Sequence, residues 1–232
     1  MQGHEQTAYD RGVTVFSPDG RLYQVEYARE AVERGAPAVG VAYDGGVVLA
    51  ANGRRRSPLQ DPDSVEKLHA VDDRIGIATA GHVADARRLV DRARVRAQEE
   101  RLRYGEPTTV EALAKALADL VQETTQTGGS RPFGAALLVA GVDDRGPSLY
   151  QVDPSGTPSG WRATAVGGDG ALVSHLERRY EDGLDEAAAA ELAVDALREG
   201  TEADSTPTDL DVTRIDAAGY RVYDEDERRG LL

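Results

Sequence analysis

The segment YDRGVTVFSPDGRLYQVEYAREAVERG, residues 9–35, changes its hydrophobic period half-way along. Val13-Thr14-Val15-Phe16 alternates. Ser17-Pro18-Asp19-Gly20 then reads as a turn, with proline where a φ of about −65° suits it and glycine where the chain must bend. Beyond the turn, Leu22, Val25, Ala28 and Val32 recur at helical spacing and form one apolar stripe. Gly35 follows as the expected left-handed terminator of that helix. The segment therefore reads as an arm, a turn and an amphipathic helix over about residues 20–35. Residues 1–12 carry no core-forming pattern and are expected to be a mobile arm.

Outside this segment, 232 residues are enough to bury a sizeable core. There is no cysteine, which excludes disulfides and thiolate metal sites. No apolar run approaches the roughly 18 residues that would span a bilayer. The opening MQGHEQTAYD lacks the apolar stretch of a signal peptide. A soluble cytoplasmic protein with no membrane partner is the expectation. The net charge is −14, which disfavours nucleic acid as a partner, because phosphate binding needs clustered Lys and Arg. The 40% hydrophobic content and clear periodicity argue against acidic disorder. Acidity then reads as an adaptation to a high-salt cytoplasm, where self-repulsion is screened. The scarcity of lysine, found only at Lys67 and Lys115, resembles the composition of halophilic archaeal proteins.

Two apolar runs, residues 38–43 and 46–51, flank Asp44-Gly45 and predict a hairpin buried on both faces. Residues 67–71 and 75–79 predict two more strands. A long helix is expected from Gly81 to about Arg103, and a second from Thr108, where Glu111 completes a capping-box pattern. Strands are expected near 133–142, 148–152 and 161–166. Helices are expected from the Gly167-Gly168-Asp169-Gly170 turn to about Glu181, and over 184–199. A last hairpin is expected at 212–215 and 220–223, with residues 224–232 as a loose acidic tail. Blocks of strands alternating with pairs of helices predict an α+β fold of two sheets between helix layers.

FSPDGRLYQVEYAREAV resembles the N-terminal signature of proteasome core-particle α-type subunits, the non-catalytic members of that family. The resemblance continues through HVADAR at 82–87, TGGSRPFG at 127–134 and DPSG at 153–156, and covers about residues 9–200. It implies the four-layer αββα sandwich of the N-terminal-nucleophile hydrolases, with residues 13–223 as one domain. Catalytic siblings use a freed N-terminal threonine, whose own amine activates the hydroxyl. The matching position here is Ala36, and the acidic residue expected at the end of the second strand is Asn52. The resemblance therefore implies no catalytic residues, no cofactor and no metal.

What it implies instead is assembly. The expected partners are other α-type subunits in a seven-membered ring, β-type catalytic subunits in an α7β7β7α7 stack, activating AAA ATPases, and unfolded polypeptide substrates. Tyr9, Asp10, Pro18 and Tyr27 match the cluster that stabilises the open gating arm, and Asp10 and Arg11, an acid and a base side by side, are suited to pairing between neighbouring arms around the ring. Lys67, Glu26, Gly35 and Gly81 match the pocket that receives activator C-termini, with Glu26 expected to pair with the lysine. A free carboxylate needs a cation and backbone donors. Two alternatives stay open at this level: an active N-terminal-nucleophile amidohydrolase using another nucleophile, and an unrelated halophilic α/β enzyme. The first needs autoprocessing, and the second needs a cofactor signature.

Overall fold

The computed structural model describes residues 16–18, 20–53, 57, 59–61, 64–200 and 210–232. In chain order the elements are α1 (Tyr23–Glu33), β1 (Ala38–Tyr43), β2 (Gly46–Asn52), β3 (Leu68–Asp72), β4 (Ile75–Gly81), α2 (Val83–Tyr104) and α3 (Val110–Gln126). There follow β5 (Ala135–Asp143), β6 (Gly146–Val152), β7 (Pro158–Trp161), β8 (Ala163–Val166), α4 (Ala171–Arg179), α5 (Glu186–Glu199), β9 (Leu210–Asp216), β10 (Gly219–Val222) and α6 (Glu225–Gly230).

The strands form two five-stranded antiparallel sheets, ordered β10-β9-β2-β1-β8 and β3-β4-β5-β6-β7. In β2, Val48 and Ala50 face one way, into a core shared with Leu192, Ala193 and Leu197 of α5. Val47, Leu49 and Ala51 face the other way, against Ala78, Leu138 and Leu149 of the second sheet. The outer face of the second sheet carries Ile77, Leu137 and Val139 beneath Leu89 and Val90 of α2 and Leu113 and Leu117 of α3. Strands covered on both faces have no use for polar alternation, which is why β1 and β2 are almost wholly apolar. The architecture is the expected four-layer αββα sandwich.

Several boundaries and conformations differ from the sequence reading. The α3 N-cap is Thr109, whose hydroxyl accepts from the Ala112 N–H at 3.2 Å; Thr108, one residue earlier, is buried. Residues 161–166 are not one strand. The chain leaves the second sheet after Trp161 and enters the first at Ala163, with the Arg162 carbonyl accepting from Ala42 N–H at 2.7 Å. No glycine or proline marks the step. The tail is not loose. Asp224 and Glu227 close a capping box, Arg221 holds Glu227 through two hydrogen bonds of 2.8 and 2.9 Å, and Arg228 reaches the Leu210 carbonyl at 2.9 Å. Its acids fill the first turn and its arginines the last, the arrangement the helix dipole favours.

Gly35 is also not a left-handed cap. The helix ends on Arg34 in right-handed geometry, and Gly35 lies outside the left-handed region. It is glycine because of what touches it: a Cβ there would sit 2.5 Å from the Gly81 nitrogen. Gly81, expected to open the long helix, instead ends β4 at φ +101°, and His82 is the N-cap of α2. A Cβ on Gly81 would overlap the Gly134 carbonyl oxygen. Three segments thus meet backbone to backbone: the end of α1, the β4–α2 corner and the entry to β5. Gly81→Ala combines a disfavoured φ with an overlap that no side-chain rotation relieves. It is expected to cost about 2 kcal/mol or more, read as a lower denaturation midpoint.

Candidate functional site

Lys67 immediately precedes β3, and its side chain turns inward until only 9% of the residue is exposed. Its Nζ donates to the Ala36 carbonyl and, at 3.2 Å, to the Pro37 carbonyl, the two residues after the Gly35 contact that lead into β1. The Pro37 oxygen also accepts the Asn52 N–H at 3.2 Å, which brings the end of β2 to the same point. Asn52 is buried and its Oδ1 has no hydrogen-bond partner among the described residues. Burial pulls the Lys67 ammonium down to about 7, while the charge of Asp211 acts the other way. The two carbonyl acceptors also favour its charged form.

This is the corner where a nucleophile would be sought. Ala36 offers a methyl group, Asn52 has no negative charge, and the strong group is an ammonium held by carbonyls. Such a group cannot attack a carbonyl while protonated, and among the described residues its Nζ holds backbone oxygens and not a hydroxyl that it could activate. What the ammonium does in this arrangement is donate to backbone oxygens.

Of the four residues expected to form a carboxylate pocket, three come together here. Lys67 holds the carbonyls that follow Gly35, and Gly35 lies on Gly81. Glu26 does not join them: its Oε1 accepts from Arg29 Nη1 at 3.0 Å, within α1. The reason is helical spacing, since i and i+3 share a face. Of the expected gate residues, Pro18 lies in a turn closed by Gly20 N–H to Ser17 O at 2.8 Å, with Gly20 at φ +75°. Tyr27 is half-exposed on α1. Tyr9, Asp10 and Arg11 lie outside the described residues.

One constellation at this corner escaped the sequence reading. Asp85, buried on the first turn of α2, accepts both Nη atoms of Arg131 at 2.6 and 2.9 Å, and the Gly134 N–H at 2.9 Å. Burial alone would raise its carboxyl. The hydrogen bonds from Arg131 and from the Gly134 N–H outweigh that and hold it below the usual carboxylate range. Only the HVADAR and RPFG motifs, 46 residues apart at this contact, hinted at it.

The sign of the Lys67 linkage gives a test. The unfolded chain keeps this proton up to about 10.5, whereas the folded chain releases it near 7. Between those values the unfolded state binds more protons, so stability rises with pH across that window, and the cost of burying the charge is fully present below it. Lys67→Met should flatten the rise. The check is denaturant unfolding of both chains at pH 6 and pH 9, comparing the two differences.

Comparison with known proteins agrees with this geometry. The family profile described as "Proteasome subunit" matches residues 32–215, and the profile for the N-terminal signature of A-type proteasome subunits matches residues 9–31. The chain is 55% identical to the alpha 2 proteasome subunit of Haloarcula marismortui, over 93% of this chain and 89% of that protein. It is 54% identical to the alpha 1 proteasome subunit of Haloferax volcanii, over 97% and 90%. It is 50% identical to the alpha proteasome subunit of Halobacterium salinarum, over 100% and 93%. With the two profiles matching in succession and an alanine where the nucleophile would stand, the chain belongs to the proteasome subunit family, as one of its α-type members.

Proposed function

We propose that this chain is the non-catalytic gating and docking subunit of a proteasome core particle in the cytoplasm. Seven α-type chains form an outer ring on a ring of β-type threonine peptidase subunits, the N-terminal arms control entry of unfolded polypeptides, and activating AAA ATPases dock on the outer face. The observation that carries the reading is the Lys67 corner. The nucleophile position is Ala36, its carbonyl is taken by the lysine, and α1 forms one wall of the cleft that runs between the sheets beside it. A chain arranged in this way contributes by contact.

The corner also suits the docking role. Lys67 holds the carbonyls that follow Gly35, Gly35 lies on Gly81, and the ammonium has a third N–H beyond its two carbonyls. A C-terminal carboxylate of an activator would supply the counter-charge that burial denies this lysine. A compact ammonium fits such a point better than a planar guanidinium, in a chain that otherwise uses arginine almost throughout.

Removing residues 2–12 should speed hydrolysis of a fluorogenic peptide by cores reconstituted with β-type subunits, with the assembled rings unchanged by electron microscopy. An unchanged rate in intact rings removes the gating role. Lys67→Ala should abolish binding of an activator C-terminal peptide while leaving the rings intact; full binding by that variant rules out the pocket.

A further inference from the structure

α1 buries three residues, Val25, Ala28 and Val32. Its C-terminal end is fixed at the glycine contact. Nearer its middle, Arg29 attaches it to a distant part of the chain. This guanidinium donates from Nε at 3.3 Å and Nη2 at 2.9 Å to Oδ2 of Asp153, and Nη1 donates to Glu26 at 3.0 Å.

Asp153 is a prepared partner. Its Oδ1 accepts from the Ser155 N–H at 3.2 Å, the Ser155 hydroxyl at 2.6 Å and the Thr157 N–H at 3.1 Å, which leaves Oδ2 aimed at the helix. Burial would raise this carboxyl, but the hydrogen bonds from Ser155, Arg29 and Thr157 hold it low. The turn that carries it is itself immobilised. Gly156, at φ +78°, lies so close to α3 that a Cβ would come within 2.6 Å of the Ala118 carbonyl. A fixed carboxylate therefore stands opposite a helix that buries three residues. Between them lies a cleft of about 270 Å³, lined by Arg29, Val32, Gln151, Asp153 and Gly168. The Arg29 side chain is 43% exposed and that of Asp153 is 22% exposed. Water and salt reach the pair, so it restrains without locking.

We propose that Arg29 and Asp153 form a releasable tether that sets the resting position of α1, and with it the position of the arm that α1 carries. They are positioning residues for the gate, and this step rests on the gating role proposed above. Releasing the tether lets the N-terminal half of α1 lift from the cleft while the Gly35–Gly81 contact remains as its pivot.

The test uses cores reconstituted with β-type subunits and assayed without an activator. Arg29→Ala and Asp153→Asn should each raise peptide hydrolysis several-fold, toward the rate of the chain lacking residues 2–12. The double variant should go no further than either single one, because both remove one interaction. Arg29→Lys should recover part of the restraint, and Glu30→Gln, which removes only the exposed pair with Arg34 on the same helix, should stay at the basal rate. In the chain lacking residues 2–12, Arg29→Ala should add nothing. Amide exchange gives a readout independent of the gate: residues 23–33 should exchange faster in Arg29→Ala, with β1 and β2 unchanged. If removing the arm speeds hydrolysis but neither single variant does, the tether is wrong and the gate stands. If removing the arm has no effect, the gate reading fails, and faster exchange confined to α1 decides the tether alone. Unchanged exchange, or additive effects in the double variant, overturns the proposal. Should Arg29→Ala not assemble, Asp153→Asn and the exchange measurement carry the same decision.

Discussion

Three peptide backbones without intervening side chains meet where Gly35 lies on Gly81 and Gly81 lies on Gly134. This contact sets where α1 ends, where β4 turns into α2 and where β5 begins, so both sheets and the N-terminal helix are referenced to one point. Close backbone approach leaves no room for side chains there, and the carbonyls and N–H groups that become buried must find partners. Lys67 takes the Ala36 and Pro37 carbonyls, His82 N–H takes the Gly134 carbonyl at 2.7 Å, and Asp85 takes the Gly134 N–H. The buried ammonium and the buried carboxylate are thus satisfied largely by backbone dipoles and by Arg131, and not by each other.

That distinction decides how charge works in this molecule. At a net charge of −14, many ion pairs lie on exposed helices, such as Arg229 with Glu225 and Asp226, or Arg34 with Glu30. Pairs of this kind contribute little individually and less in high salt. Asp85 with Arg131 differs because the carboxylate is buried and both its oxygens are engaged. Removing the arginine would strand a charge inside the protein, which costs far more than an exposed pair is worth. Acidity can therefore be spread over the surface while a few buried groups fix the corner.

Much of the layering is legible in the residues, because burial on both faces leaves a plain mark. The apolar runs of β1 and β2, the stripes of α2 and α3 and the change of period after Gly20 all follow from which faces meet water. What was not legible depends on distant partners. The crossing at Arg162 is set by β6 and β1, which compete for adjacent residues of one alternating run. The α6 helix depends on Leu210 and Arg221 to hold a segment whose own composition reads as a solvated tail. In the site, Lys67, Gly35 and Gly81 were found through motif resemblance, but the reason for Gly35 was a neighbour 46 positions away and not its own dihedral angles. Asp153 lies in the DPSG turn and Arg29 in the amphipathic helix, but nothing in either segment signals that the two, 124 residues apart, pair.

Ala36 and Lys67 are connected through Asn52, whose N–H shares the Pro37 carbonyl with the lysine. An aspartate at the end of β2 would give the lysine a nearby counter-charge and hold it firmly protonated. Asparagine removes that charge and leaves its own Oδ1 without a partner among the described residues, so the corner contains a cation compensated only by dipoles and by the more distant Asp211. Two ways of relieving this state exist: losing the proton, or gaining an anion from outside. A catalytic site would need the base already in place. In the docking role proposed above, its absence would be an advantage, because an incoming carboxylate would supply the charge that the fold withholds.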